Sequence, residues 1–443
     1  MKLNVKNTVL VGFAFLAISS FWQMYDSLIP KILTGTFNIS KTASGAIMAS
    51  DNVLALFLLP LFGGISDKCK SSLGRRKPFI LFGTIVSVIL MLGLPILDNS
   101  YFAVPSNTKI LLFILNLGLL LIAMGTFRSP AVALMPDVTP KPLRSKGNAI
   151  INLMGAVGGV IYLIVTSILY SNSRTEGLEH VNYLPIFAII AGVMIFSLFI
   201  IMAFVNEPKL VKEQEEFEKN YQTTPETESV VENEGKLPKE VRKSLVFLLF
   251  SVAFWFVGYN GVTTWFTVYA EEVWGMRVGQ ASTCLTVATV GAIISYIPVG
   301  IIASKIGRRK TIKFGVLLLA SSFFMAFVLT LVFDRFNPIL LVLFFLVGLA
   351  WASINVNSLP MVVEMCSGSK VGKFTGLYYT FSMSAQIITP ILAGLIIENI
   401  SHQALFPYAA SAVIISFITM CFVKHGDNKI ALKTGLEAFD VDD

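Results

Sequence analysis

The chain reads as a succession of long apolar runs separated by short polar links. Six runs lie near 8–30, 43–64, 78–97, 110–134, 147–170 and 183–204. After a longer polar stretch, six more follow near 244–268, 280–304, 314–333, 338–363, 374–397 and 403–423. Each approaches or exceeds the roughly 20 apolar residues that carry a helix across a bilayer. The pattern predicts an all-α membrane protein of about twelve transmembrane helices in two pseudo-symmetric six-helix halves. The halves are expected at 1–204 and 244–423, with a linker at 205–243 and a tail at 424–443. The run Val9–Ile18 has the apolar character of a signal peptide but no convincing small-residue cleavage site, and it reads as part of the first helix.

Composition makes the membrane reading firm. Of 443 residues, 55% are hydrophobic and only 14% charged, against about 25% charged in soluble domains. The mean hydropathy is +0.73. The net charge of +7 suggests nucleic acid until its placement is considered. With a cytoplasmic N-terminus, 27 of the 34 basic residues fall in inner links or termini. Only Lys31, Lys41, Lys109, Arg174, Arg277 and Arg335 fall outside, and Arg128 lies within a run. The positive-inside rule then puts both termini in the cytoplasm, and the partner of the basic residues is the bilayer and its topology, with no nucleic acid. The expected setting is a multi-pass protein of a cell membrane of the bacterial inner-membrane kind, working as a monomer. The linker holds ten glutamates against seven basic residues and is expected to be a solvated tether with a surface helix near 208–221.

Enzyme chemistry finds no footing. Cys69, Cys284, Cys366 and Cys421 are scattered without metal-ligand spacing. His180, His402 and His425 lie in links with no nucleophile motif beside them, and no phosphate-binding loop of an ATP-driven pump is present. No cofactor is expected beyond a coupling ion.

The two halves echo each other. Gly63-Gly64-Ile65-Ser66-Asp67-Lys68 leads to Gly74-Arg75-Arg76-Lys77 after the second run. Gly300-Ile301-Ile302-Ala303-Ser304-Lys305 leads to Gly307-Arg308-Arg309-Lys310 after the eighth. Asp137 precedes Arg144, Lys146 and Gly147 after the fourth run, as Glu364 precedes Lys370, Gly372 and Lys373 after the tenth. Repeated halves are the build of transporters that hold substrate between them near the midplane.

These paired loops resemble the signature loop of the major facilitator superfamily. The resemblance implies a cytoplasmic gate drawn from Asp67, Arg75, Arg76, Asp137, Arg308, Arg309 and Glu364. Two departures stand out: four extra residues between Asp67 and Gly74, and Ser304 where the first loop has its aspartate. The longer form of the first loop, running on to Pro78-Phe79-Ile80, is similar to the plant sucrose:proton symporters with their bacterial relatives and to the glycoside–pentoside–hexuronide:cation symporters. So are Phe127-Arg128-Ser129-Pro130 through Asp137, and Val268-Tyr269-Ala270-Glu271-Glu272.

Ionisable groups within spans cost at least about 2.5–3.5 kcal/mol and ask for a purpose. Three are evident: Asp26, Asp51 and Arg128. The aspartates fall about one helical turn apart in depth, in the outer half, where they are placed to face each other. Two close, poorly solvated carboxylates resist double ionisation, which suits a proton carrier. A vestibule position for Asp26 and a structural hydrogen bond for Asp51 are the plainer alternatives. Arg128 lies some 17 residues from the outer end of its run, roughly 26 Å down a straight helix. That is deeper than either aspartate and makes a direct pair with Asp51 doubtful. The sucrose-symporter resemblance implies sugar contact for Arg128; anchoring at the cytoplasmic face is the alternative.

A sugar site needs amides and aromatic rings. Trp22, Tyr259, Asn260, Asn355 and Gln386 are the candidates, each weighed against plain packing. The expected function is import of a sugar, a disaccharide or glycoside, with a proton at Asp51 assisted by Asp26. Sodium-using melibiose-type carriers typically have a second span-two carboxylate, so the resemblance, with Asp51 alone in its turn, implies a proton in preference to sodium. The rivals are a proton-coupled exporter and a non-transporting membrane sensor.

Overall fold

The computed structural model describes residues 4–139, 144–222, 238–333, 335–365 and 371–427. The helices are α1 (Val5–Lys31), prolonged by a π-turn over Ile32–Thr36, α2 (Lys41–Asp67), α3 (Lys77–Ala103), α4 (Asn107–Val138), α5 (Arg144–Leu169) and α6 (Asn172–Thr175). There follow α7 (Leu184–Phe204), α8 (Glu207–Gln222), α9 (Lys239–Trp274), α10 (Val278–Ile306), α11 (Arg308–Val332), α12 (Ile339–Val363), α13 (Val371–Asn399) and α14 (Leu405–Cys421). Twelve described helices are long and apolar enough to cross a membrane. The other two are the single turn α6 and α8, which falls where the sequence placed a surface helix. Within the expected linker and tail, 223–237 and 428–443 lie outside the described residues, as do Cys366 and Lys370 and the side chains of Arg144, Lys146, Ser304 and Lys373.

Most of the spanning helices outlast their apolar runs, because a run stops at the first charge and a helix stops where its backbone is capped. At α9, Gly275 takes φ +61°. The amides of Gly275 and Met276 then close onto the carbonyls of Glu271 and Ala270. Helix α1 with its π-turn continues past Lys31 and ends at Thr36, six residues beyond its run. Helix α3 runs on through Asp98, which is fully buried. The expectation that spans of the first half carry charge only at Asp26, Asp51 and Arg128 is therefore corrected: Asp98 joins them. It sits on the buried face with Met91, Leu94 and Pro95, at the spacing of a continuing helix.

The chain divides into two compact units. One comprises Met1–Ile39, Ser50–Leu169 and Ser173–Glu228; the other comprises Ser40–Ala49, Tyr170–Asn172 and Ser229–Asp443. In the first unit α1 packs on α5 and α7, and α3 on α4 and α7. The α1–α5 approach is set by glycine. A Cβ on Gly158 would stand 2.2 Å from the Leu16 carbonyl oxygen, and one on Gly155 2.9 Å from the Ser19 hydroxyl. Gly159, the second glycine of the Gly-x-x-x-Gly step, is open by comparison, with Gln23 at 3.7 Å. In the second unit Gly348 of α12 plays the same part, with the Ala288 carbonyl oxygen 2.0 Å from where its Cβ would be. Apolar side chains such as Phe57, Phe82, Ile89, Phe196 and Ile294 are exposed on the outside. Lipid tails are as apolar as these side chains, so close backbone packing must hold the helices together.

Each unit also carries a clamp between its last span and its Gly-Arg-Arg loop. Glu207, 1% exposed, accepts from the backbone amides of Arg75 (2.6 Å), Arg76 (2.9 Å) and Lys77 (3.0 Å). An anion on the free amides at a helix N-terminus meets both the orphan donors and the helix dipole. Lys77 returns the favour at the other helix end, donating to the carbonyls of Met202 (3.1 Å) and Val205 (2.8 Å). In the second unit Asp427 accepts from the Arg308 amide at 2.7 Å, and Arg309 donates to the Val423 carbonyl at 3.2 Å. Gly74 (φ +112°) and Gly307 (φ +95°) admit the two carboxylates. A Cβ there would stand 2.3 Å from Glu207 and 2.7 Å from Asp427. By contacts, Lys77 therefore matches Arg309, one residue off the alignment that matched Gly74-Arg75-Arg76-Lys77 to Gly307-Arg308-Arg309-Lys310.

Two outcomes follow from this packing. Gly158→Val in the full chain is expected to lower stability by about 1–3 kcal/mol through overpacking, read as a drop in melting temperature of detergent-purified protein; an unchanged melt would remove glycine from the α1–α5 contact. Glu207→Ala strands three amides and is expected to cost about 1–3 kcal/mol, more than Asp427→Ala. Equal melting losses for the two would show that the number of capped amides does not set the effect.

Candidate coupling and substrate site

Asp26, Asp51 and Arg128 belong to one unit, on α1, α2 and α4. Asp26 is ten residues from the end of the π-turn at Thr36, and Asp51 is ten residues from the start of α2 at Lys41. That puts the aspartates at matching depths along their helices. The charges of all three act on one another: Asp26 is within electrostatic range of Asp51 and Arg128, and Asp51 of Arg128. Among the described residues no ion pair within 4.0 Å joins Arg128 to Asp51 or Asp26, so the direct pair that the depth count made doubtful is not formed; the charges act on one another at longer range.

The surroundings of the three charges are sparing with partners. Asp51 Oδ1 accepts from the Asn52 amide (2.5 Å) and its side-chain Nδ2 (2.8 Å). The Arg128 guanidinium carbon sits 5.5 Å from the centre of the Trp22 ring, at cation–π distance. Trp22 packs edge-on against Tyr25, centroids 5.3 Å apart. The Trp22 indole nitrogen and the Tyr25 hydroxyl are both buried without a hydrogen-bond partner. Buried polar groups normally find partners; these two are among several described atoms without one, and they lie on the helix that carries Asp26, with Trp22 against Arg128.

The second unit holds another set. Tyr259 stacks on Trp351 with centroids 3.8 Å apart and an angle of 10°, and Phe256 meets Trp351 edge-on at 5.4 Å. Asn260, next to Tyr259, has a buried amide nitrogen without a partner. Asn355 and Gln386 are half-buried. Among the described residues no hydrogen bond joins the side chain of either to Tyr259 or Asn260. Asn355 meets its own helix, its carbonyl accepting from the Ser358 hydroxyl at 3.2 Å. A further polar cluster joins the first turn of α2 to the ends of α9 and α13. Lys41 contacts His402 and lies 3.9 Å from Glu272, while Glu398 accepts from the Thr42 amide (2.9 Å) and hydroxyl (2.6 Å).

The residues assigned to a gate form two networks, one in each unit. Arg76 donates from Nε to Asp137 at 2.7 Å and lies 2.5 Å from Asp67, with Ser66 Oγ at 2.5 Å and the Gly63 carbonyl at 3.3 Å. Arg75 reaches Asp137 at 3.5 Å. Burial works against the Arg76 charge; the hydrogen bond and charge of Asp137, with Asp67 behind it, outweigh burial and hold the guanidinium above its usual range. In the second unit Arg308 pairs with Glu364. Arg309 makes its bond to the Val423 carbonyl and leaves Nε buried without a partner. Sequence reasoning missed Glu207, Asp427 and the Asp98–His180 pair. A signal for the first two exists: each follows a Phe-Val pair, Phe204-Val205 and Phe422-Val423, that closes the last span of its half.

Comparison with known proteins narrows the class. Plant sucrose transport proteins match in one region: SUC3 of Arabidopsis thaliana is 31% identical over 152 residues, covering 32% of this chain and 25% of its own length. SUT3 of Oryza sativa subsp. indica is 32% identical over 152 residues, covering 32% and 30%. The chain thus aligns with less than a third of either plant protein. An uncharacterized MFS-type transporter of Methanocaldococcus jannaschii is 22% identical over 435 residues, covering 94% of this chain and 95% of that one. Among solved structures, a D-xylose-proton symporter superposes with a TM-score of 0.70 at 13% identity, covering 96% of this chain and 99% of that one. The nucleoside transporter NupG reaches 0.66 at 14% identity, covering 95% and 100%. At such identities these structures speak for the fold alone. The family model of the Major Facilitator Superfamily matches residues 11–279 and 271–438, nearly the whole chain, so this multi-pass membrane protein belongs to that superfamily of transporters.

Proposed function

We propose that the protein imports a sugar together with a proton by alternating access. It would do so as a monomer in a cell membrane, with both termini in the cytoplasm and two repeated six-helix halves. The observation that carries this reading is the cluster of Asp26, Asp51 and Arg128 beside the unpartnered Trp22 nitrogen and Tyr25 hydroxyl. With both carboxylates ionised the three charges sum to minus one; with one proton bound they sum to zero. Carrying net charge through a low-dielectric barrier is costly, so the neutral cluster is the form suited to reorientation. Asp51 has one oxygen, Oδ1, occupied by Asn52, which leaves Oδ2 to take the proton. Once its carboxylates are less negative, Arg128 turns its fork of donors to the substrate hydroxyls. In the second unit, taken by itself, the stacked Tyr259–Trp351 pair beside Asn260 is an aromatic face of the kind that the apolar CH groups of a sugar ring meet. The plant sucrose transport proteins, which match over about a third of this chain, support the same substrate class by their names.

The test is uptake of labelled sugars, sucrose and maltose first, into proteoliposomes under an imposed inward proton gradient. Wild-type protein is expected to accumulate sugar, and Asp51→Asn to lose gradient-driven accumulation while still exchanging internal for external sugar. Accumulation that survives Asp51→Asn would move the proton site to Asp26. Failure of folded protein to take up any sugar of a broad panel would overturn the reading. Trp22→Phe keeps a ring near Arg128 and removes the indole donor. It is expected to raise the apparent KM by up to about tenfold, the worth of one hydrogen bond, with little change in maximal rate. An unchanged KM would take the Trp22 nitrogen out of the sugar site.

A further inference from the structure

Asp98 stands apart from the cluster above. It lies near the end of α3, in the first unit, at the opposite end of that helix from the Gly74 loop. It is 0% exposed, and neither carboxylate oxygen has a hydrogen-bond partner of normal geometry. Two groups face it. The Thr36 hydroxyl approaches from the π-turn that ends α1, and His180 Nε2 stands 3.6 Å from Oδ2. His180 comes from the link before α7. Its ring is stacked on Phe102 at 4.5 Å with an angle of 12°, and its Nε2 also lies 2.9 Å from Asn99 Oδ1. Asn99 in turn donates to Asn182 at 2.8 Å. The imidazole is held in place, yet its side chain keeps 14% of its surface open.

The other titratable groups around Asp98 are occupied or distant in role. Lys109 on α4 gives its ammonium to the carbonyls of Ser100 and Val104, both at 2.8 Å. Lys31 precedes the π-turn, and Tyr183 begins α7 as a buried ring. Glu179, beside His180 in the link, is exposed. A buried carboxylate without a full set of donors is expensive as an anion. Having no surface open to water, it can exchange protons only through a neighbour. Burial pushes the His180 imidazole below its ordinary value, so near neutral pH it passes a proton on in preference to keeping it.

We propose that Asp98 is a second proton-binding site of this chain, separate from Asp26 and Asp51, and that His180 relays the proton to it. A proton from solvent binds the imidazole and moves to the carboxylate; His180 returns to neutral and Asp98 goes from minus one to zero. The site lies beneath the π-turn on the helix that carries Asp26, so its charge acts on the anchored end of α1 through Thr36. None of this depends on which substrate the protein carries.

The experiment is pH-difference infrared spectroscopy of the full chain in lipid nanodiscs, following the carboxylic C=O stretch of a buried protonated acid. Wild type is expected to show a titrating band that Asp98→Asn removes and that Asp26→Asn and Asp51→Asn leave in place. His180→Gln is expected to keep the band. In heavy water, however, it should slow the band's deuterium shift on the order of a hundredfold, the lower end of what a positioned proton-transfer group supplies. A titrating spectrum unchanged by Asp98→Asn overturns the site. A band lost in Asp98→Asn whose exchange is as fast in His180→Gln as in wild type overturns the relay. Melting temperatures near that of wild type for both variants keep either result from being a folding artefact.

Discussion

A charge or bare polar group held in a low-dielectric interior has to find its partner within its own fold, because no water will supply one. That constraint organises this molecule more than any hydrophobic contact, since lipid competes equally for apolar surface. Arg76 shows the constraint met in full: Asp137, Asp67, Ser66 and the Gly63 carbonyl surround one guanidinium. Glu207 shows it met at a helix end, where three amides with no helical partner converge on one carboxylate. Lys77 and Arg309 complete the same arrangement by holding carbonyls where the last span of each unit ends. These contacts tie the polar loops to the spans and so fix where α3 and α11 begin.

The helices themselves follow from a second side of the same constraint. Backbone groups in hydrocarbon are satisfied only by continuing the helix or by a cap. Apolar periodicity does not report where either happens. This is why the spans were legible in number and order while their ends were not. The run that begins at Pro78 stops at Leu97 if polarity alone is read, yet Asp98 lies on the same buried stripe as Leu94 and Pro95. The polar side chain hid a core position. The two carboxylates of the clamps were hidden for a different reason. Their partners are backbone amides more than 100 residues away, and a backbone amide has no signature in a sequence.

The chemistry of the candidate site was legible to the extent that it rests on residues unusual for a membrane span. Asp26, Asp51 and Arg128 stand out in any apolar run, and Trp22 and Tyr259 sit beside polar groups. What depends on three-dimensional pairing was not legible. The cation–π contact of Arg128 with Trp22 and the stack of Tyr259 on Trp351 join different helices. Asn355 and Gln386 illustrate the reverse. Their amides have the right chemistry for a sugar, but the structure places neither in hydrogen-bond contact with the Tyr259–Asn260 pair.

The contrast between the two kinds of charged site carries the functional argument further. Around Arg76 the fold supplies acceptors from three directions, and the guanidinium remains charged whatever the solvent pH. Around Arg128 it supplies a ring face and two carboxylates at a distance, and it leaves a tryptophan nitrogen and a tyrosine hydroxyl with no partner nearby. Orphaned donors and acceptors cost free energy in every state where they stay orphaned. At Arg76 the fold satisfies its polar groups fully, and beside Arg128 it leaves two open that a bound ligand would fill for part of a cycle. A hydroxyl-rich ligand bound beside a protonated acid would satisfy the indole, the phenol and the guanidinium at once. In the proposed symport cycle the unmet hydrogen bonds would supply binding energy, and the proton would free Arg128 to contribute to it.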